Sequence, residues 1–199
     1  MIALGDVDLV LASTSRYRRE LLARLTPDFR CIGPQVDETA QTDESPAALA
    51  GRLAIAKAQA VAAKNPGAIV IGSDQTADLD GCIIGKPGAV ENAHAQLAAC
   101  SGRSVAFHTA ICVIDTRASP PRVLAAQDLT RVYFRELNAD TIVRYVEGEQ
   151  PLDCAGSFKC EGLGIALFDR IESKDPTALI GLPLITLCKQ LREIGISIP

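Results

Sequence analysis

The chain has 199 residues with 48% hydrophobic content and a mean hydropathy of +0.17, which excludes a disordered polypeptide. A net charge of −4, 4% aromatics and no Trp argue against a broad nucleic-acid surface and leave few platforms for stacking single strands. At this length one domain over residues 1–199, burying about 70% of the surface of the unfolded chain, is expected.

The opening segment MIALGDVDLV has neither a basic leader nor a long apolar run, so neither a signal peptide nor a membrane span is expected, and a cytoplasmic location follows. Leu9 to Ala12 reads as a strand that delivers Ser13 and Ser15 to a chain reversal. Ser15 is a good N-cap for a helix carrying Arg16, Arg18 and Arg19. Hydroxyls, backbone N–H groups and guanidinium forks converging on one point suit a phosphate. A solvated helix with arginines on its wet face accounts for this local pattern equally well. Phe29 to Gly33 reads as a short strand leading into Asp37 and Glu38. Ser45 and Pro46 then start a helix whose apolar positions Leu49, Leu53, Ala56 and Ala60 recur through Val61, with Arg52 and Lys57 off the stripe.

Ala68 to Ala77 begins as a continuous apolar run, the pattern of a buried parallel strand, and ends in Ser73, Asp74 and Gln75. Ligands of open α/β sheets bind at such strand ends, which makes Asp74 the best-placed carboxylate of the chain. Asp80-Gly81 predicts a hairpin turn returning through Ile83 and Ile84 to Gly85-Lys86-Pro87, and a helix over Val90 to Cys100 follows. Ser104 to Ile114 and Val123 to Phe134 read as long paired strands forming a second sheet. Asn138 caps a helix to about Glu147, Ile165 to Ile171 reads as a strand, and Leu182 to Ile194 as the closing helix. This order predicts a mixed α/β fold without repeats.

Seven Cys residues (31, 82, 100, 112, 154, 160 and 188) without a CxxC pair read as reduced thiols, and with only His94 and His108 no structural zinc site is expected. Gly81 to Lys86 fails as a P-loop on spacing, and neither a nucleophile elbow nor a dinucleotide fingerprint occurs. What remains is Ser13, Ser15, Arg18, Arg19, Asp37, Glu38, Lys57, Asp74 and Lys86, charges and hydroxyls at element ends. Singly, each reads as a solvated residue. Together, carboxylates able to hold Mg²⁺ and basic groups able to neutralise phosphate are the two halves of a phosphoanhydride-cleaving site. The partner this implies is a small nucleotide, not a nucleic-acid polymer or a membrane.

Five blocks in order, LASTSRYRRELL, VDET with SPAALAGRLAIAKAQA, IVIGSDQT, GKP and GLPLITL, resemble the Maf family of nucleoside triphosphate pyrophosphatases from about Leu9 to Leu191. The resemblance implies an α/β fold of the ITPase-like kind: a mixed, elongated, twisted sheet flanked by helices, in two lobes around a central cleft. It further implies cleavage of a nucleoside triphosphate to monophosphate and pyrophosphate, with a divalent cation, Mg²⁺ or Mn²⁺. By the resemblance, Ser13, Ser15 and Arg18 bind phosphates, Lys57 and Lys86 face them, Glu38 lies near the metal, and Asp74 is a metal-side carboxylate and proton acceptor, while Arg19, in the same basic cluster, is a further candidate for substrate binding. An exposed carboxylate is a weak base at neutral pH, an objection removed if the attacking water is metal-bound. Tyr17, Gln75 and Glu161, with the block Asp153 to Gly164, resemble the branch acting on 7-methylguanosine triphosphate, although that branch typically carries Trp where this chain has Tyr17. N7 methylation makes guanine cationic, so an aromatic face and a carboxylate become favourable neighbours. The alternatives are the dTTP and UTP branch of the same fold and a nucleotide-binding regulator of septum formation. The long strands and small net charge are compatible with a homodimer.

Overall fold

The computed structural model describes residues 2–198. In chain order its strands and helices are β1 (Ile2–Ala3), β2 (Leu9–Leu11), α1 (Arg16–Leu22), β3 (Arg30–Cys31), α2 (Pro46–Ala62), β4 (Ile69–Leu79), β5 (Cys82–Ile84), α3 (Val90–Cys100), β6 (Ser104–Asp115), β7 (Arg122–Phe134), α4 (Ala139–Glu149), β8 (Phe168–Glu172), α5 (Leu184–Glu193) and β9 (Ile196–Ser197). Short 3₁₀ turns occupy Leu4–Asp6, Ala155–Ser157 and Leu163–Leu167.

A mixed sheet of seven strands runs in the order β3-β2-β4-β6-β7-β8, with β5 added beside β4, and a small parallel pair joins β1 to β9. The expected second sheet does not form. Strand β6 pairs antiparallel with β4 from Ile69↔Asp115 to Asp78↔Ala106, so β6 and β7 extend the first sheet. The physical reason is length: strands of 11, 12 and 13 residues offer one continuous ladder, and dividing them between sheets would expose edge N–H and C=O groups. The stretch from Ile165 is a 3₁₀ turn up to Leu167, and its strand begins at Phe168.

Long strands carry the sheet through two apolar clusters. At one end Leu9, Leu11, Ile69, Ile71, Ile111 and Val113 pack with Leu21 and Leu22 of α1 and Leu187 and Leu191 of α5. At the other, Ala77, Phe107 and Val132 pack with Leu97 of α3, Val146 of α4 and Phe158. Strands β4 and β6 therefore have a separate core at each end, and this is the elongated two-lobed arrangement. Phe158 meets Phe107, Phe134 and Phe168 edge-on at 4.8–5.6 Å between centroids, which fixes the segment 154–162 against the second core.

Candidate active site

The cleft originates in a gap along one edge of β4. Strand β2 pairs parallel with that edge only through Leu11↔Ile71, and β5 pairs antiparallel with it only from Ala77↔Ile84. Residues 72–76 are left without a strand on that side, while β6 covers the other side throughout. Beyond its last pair β2 runs into Ser13 and Ser15, and beyond its last pair β5 runs into Gly85 and Lys86. The two connections therefore approach Asp74 from opposite ends. Asp74 lies in the middle of an 11-residue strand, not at a strand end as its sequence suggested, and it is reached because its neighbours stop short. The resulting cleft has a volume of about 670 Å³, within the usual range for a small-molecule site.

Helix α2 forms the floor. Leu49, Leu53 and Lys57, at four-residue intervals, all line the cleft, so Lys57 continues the apolar row and does not lie off it. It is 6% exposed. Its ammonium sits 2.6 Å from Asp74 Oδ1 and 2.8 Å from Glu38 Oε1. Gly72 permits this approach: a Cβ there would lie 2.4 Å from the Ala54 carbonyl oxygen and 2.7 Å from the Ala58 nitrogen. Asp74 itself is 8% exposed, with Oδ1 taken by Lys57 and Oδ2 without a protein hydrogen bond among the described residues. Glu38 is far more open and is carried by a loop that Arg52 ties down, through Nε to Glu44 at 2.6 Å and Nη2 to the Thr39 carbonyl at 3.0 Å. This Arg52–Glu44 contact holds the Glu44 carboxyl down at about 2.

At the start of α1, Ser15 accepts from the Arg18 backbone N–H at 3.4 Å, and Ser13 Oγ accepts from the Ser15 N–H at 3.1 Å. Both oxygens are thus engaged as acceptors, which leaves both hydroxyl protons for an anion. Arg18 Nε donates to the Gly181 carbonyl at 2.9 Å, fixing the guanidinium stem and freeing its outer nitrogens. Burial pulls this guanidinium down from its ordinary value, and Asp74 and Glu38 push it back up. Lys86 is exposed on the same cleft and has no salt bridge among the described residues. Arg19 is not brought into the cleft: it faces solvent, and Arg16 lines the wall instead. At 3.6 residues per turn, neighbouring arginines on α1 point to different sides.

The far end of the cleft is lined by Tyr17, Gln75 and Glu161, which the structure brings to one cleft, together with Asp153, Cys154 and Cys160, which were not singled out as site residues. Gln75 Nε2 donates to the carbonyls of Ala178 and Leu179 at 2.9 and 3.0 Å and to Thr109 Oγ1 at 2.9 Å, so only its oxygen remains for a ligand. That loop is held in turn by Asp175, which accepts from Thr177 and from the Ile185 N–H at 2.7 Å. Sequence reasoning missed Asp175; its one signal was an Asp two residues before a Thr, an Asx-turn pattern. Burial pushes the Cys154 thiol up to about 11 and the Cys160 thiol up to about 12, so both remain protonated at neutral pH and neither is poised as a nucleophile.

Charge is divided along the cleft. Arg18, Lys57 and Lys86 with the serine hydroxyls favour a polyanion at one end, while Glu161 beside Tyr17 favours a cationic, flat group at the other. No helix of the described residues is long and apolar enough to cross a membrane, and no group of three or more His, Cys, Asp or Glu side chains is arranged to hold a metal by itself.

Residues 8–194 match the family model described as Maf, Maf-like protein. A 7-methyl-GTP pyrophosphatase of Xanthomonas oryzae pv. oryzae is 59% identical over 191 residues, covering 96% of this chain and 98% of the relative. Proteins of the same name from Bordetella parapertussis and Aromatoleum aromaticum are 54% and 53% identical, each over at least 93% of both chains. Among solved structures, the Staphylococcus aureus Ham1 protein aligns with 64% of this chain and 71% of its own at 19% identity and a TM-score of 0.44.

Proposed function

Because the chain belongs to the Maf family, we propose that it hydrolyses the α–β phosphoanhydride of 7-methyl-GTP, yielding 7-methyl-GMP and pyrophosphate. The observation that carries the reading is the buried Asp74–Lys57 pair at 2.6 Å, set in the sheet-edge gap that the Ser13 and Lys86 connections enter from both sides. Triphosphate oxygens would take the Ser13 and Ser15 hydroxyl protons, the outer nitrogens of Arg18 and the ammonium of Lys86. The base would lie against Tyr17 with Glu161 and the Gln75 oxygen as acceptors for its N1 and N2 donors.

In the reaction, Asp74 Oδ2 accepts a proton from the attacking water. The water oxygen bonds to the α-phosphorus, the bond from that phosphorus to the bridging oxygen breaks, and pyrophosphate leaves with the electron pair. Lys57 holds Asp74 in orientation through the 2.6 Å contact, and Lys57, Lys86 and Arg18 stabilise the charge that builds on the phosphate oxygens. Glu38 and Asp74, with phosphate oxygens and water, would form the oxygen-rich donor set that Mg²⁺ or Mn²⁺ prefers; two carboxylates plus a substrate's phosphates are its usual enzyme site. Such a cation supplies charge neutralisation and a more acidic bound water.

The test is a panel of 7-methyl-GTP, GTP, dTTP and UTP with Mg²⁺ or Mn²⁺, scored for pyrophosphate. Preference for 7-methyl-GTP supports the reading; preference for dTTP and UTP, or release of orthophosphate, refutes it.

A further inference from the structure

Asp153 lies across the cleft from α1, separated from Tyr17 by 136 residues of chain, yet its carboxylate faces the Tyr17 hydroxyl with both oxygens, at 3.5 and 3.4 Å. The hydroxyl accepts from Arg16 Nη2 at 2.9 Å, so its own proton must go elsewhere. The Cys154 thiol also donates to the hydroxyl oxygen, at 3.5 Å, so the acceptor within reach is the Asp153 carboxylate. The Arg16 guanidinium also covers the Tyr17 ring, 4.6 Å from its centroid, which leaves one face for a base. Contacts near 3.5 Å are loose, the common state of a binding constellation before its ligand arrives.

We propose that Asp153 is the positioning residue for Tyr17: its carboxylate accepts a hydrogen bond from the phenol hydroxyl across the cleft and fixes the ring as the wall against which the base lies. The proposal rests on assigning the base to this end of the cleft. A tyrosine fixed only through its ring bonds would sweep an arc at the mouth of an open cleft. Tethering the hydroxyl from the opposite wall removes that freedom before binding and lowers the ordering cost of the complex. Substitution of Asp153 should then act through Tyr17 alone and should weaken binding more than turnover.

The test is a double-mutant cycle on 7-methyl-GTP hydrolysis with Asp153→Ala, Tyr17→Phe and the pair, plus Asp153→Asn, which keeps an acceptor oxygen. Each single variant should raise KM about five- to tenfold, the worth of one hydrogen bond, with a much smaller change in kcat. The pair should be no worse than either, and Asp153→Asn should recover most of the loss. A second readout needs no nucleotide. The chain has no Trp and three Tyr, so its ultraviolet emission is tyrosine emission, which a carboxylate acceptor quenches. Asp153→Ala should brighten it, and Tyr17→Phe in that background should remove the gain. Independent, multiplying effects on KM, or unchanged emission in Asp153→Ala, would overturn the proposal. Failure of the unaltered protein to turn over 7-methyl-GTP would instead refute the base assignment, and the emission readout would then decide the Asp153–Tyr17 contact by itself.

Discussion

Replacing Lys57 by Met and Asp74 by Asn, singly and together, tests the buried pair on which the site is built. At 2.6 Å and an effective dielectric of about 20, the attraction between the two charges is about 6 kcal/mol. Removing both groups from water offsets more than half of this, so the measurable coupling should be about 2–3 kcal/mol. Lys57→Met strands the Asp74 carboxylate, which has no second protein cation bonded to it among the described residues, and should cost about 3 kcal/mol of stability. Asp74→Asn should cost less, because the ammonium retains Glu38 at 2.8 Å. The double variant should be no less stable than Lys57→Met. Urea unfolding at neutral pH gives all four corners of the cycle from midpoints and slopes. Costs that add to within about 0.5 kcal/mol would mean that the pair does not interact in solution, and the account of Asp74 orientation would fail.

Gly72→Ala should destabilise the protein by about 2–3 kcal/mol and lower kcat, because the added methyl meets the α2 backbone and displaces Lys57 from Asp74; urea unfolding and turnover read both effects. Asp128, buried with Oδ1 unpaired among the described residues, has its carboxyl pushed above the ordinary 3.8 by burial and by Asp175. A raised folded-state value favours folding below pH 3.8 and loses that contribution as pH rises through the folded value. Asp128→Asn should therefore stabilise by about 1 kcal/mol at neutral pH and leave stability unchanged at the acid end, as read by the thermal midpoint across pH. Alkylation at pH 8 should modify the exposed Cys31 and Cys82 first and the half-buried Cys154 and Cys160 slowly, with peptide mapping as the check; rapid loss of the cleft thiols would contradict their raised values.

Local signals in the sequence were enough for the main helices and the long strands, but not for the short β1 and β9 or for the 3₁₀ turn that precedes β8. The Ser15, Ser45 and Asn138 caps stand where expected, each accepting from a backbone N–H three residues on. The helices from Pro46 and Val90 fall at their predicted places, the first through its Ser45 cap and Pro46 start and both through apolar spacing, which are short-range properties. What could not be read was how strands share edges. Whether β6 joins β4 or begins another sheet depends on pairing between residues 28 to 46 positions apart, from Asp78↔Ala106 to Ile69↔Asp115, and the sequence carries no local mark of it. The same limit hid the origin of the cleft, which lies in where β2 and β5 stop pairing. Lys57 was misread because a lysine scores as polar in a hydrophobic pattern, although its position continues the row of Leu49 and Leu53. Arg18 and Arg19 are indistinguishable by type, and only the turn of α1 separates the one fixed by Gly181 from the one in solvent. Asp153 escaped notice because its partner is 136 residues away.

The most direct test of the central claim is hydrolysis of 7-methyl-GTP in ¹⁸O-labelled water, with both products analysed by mass spectrometry, for the unaltered protein and for Asp74→Asn. Water activated by Asp74 at the α-phosphorus places the label in 7-methyl-GMP, and Asp74→Asn should lower kcat by at least about a hundredfold, the scale of a general base, while still binding the nucleotide. Label in pyrophosphate, or undiminished turnover by Asp74→Asn, would contradict the account.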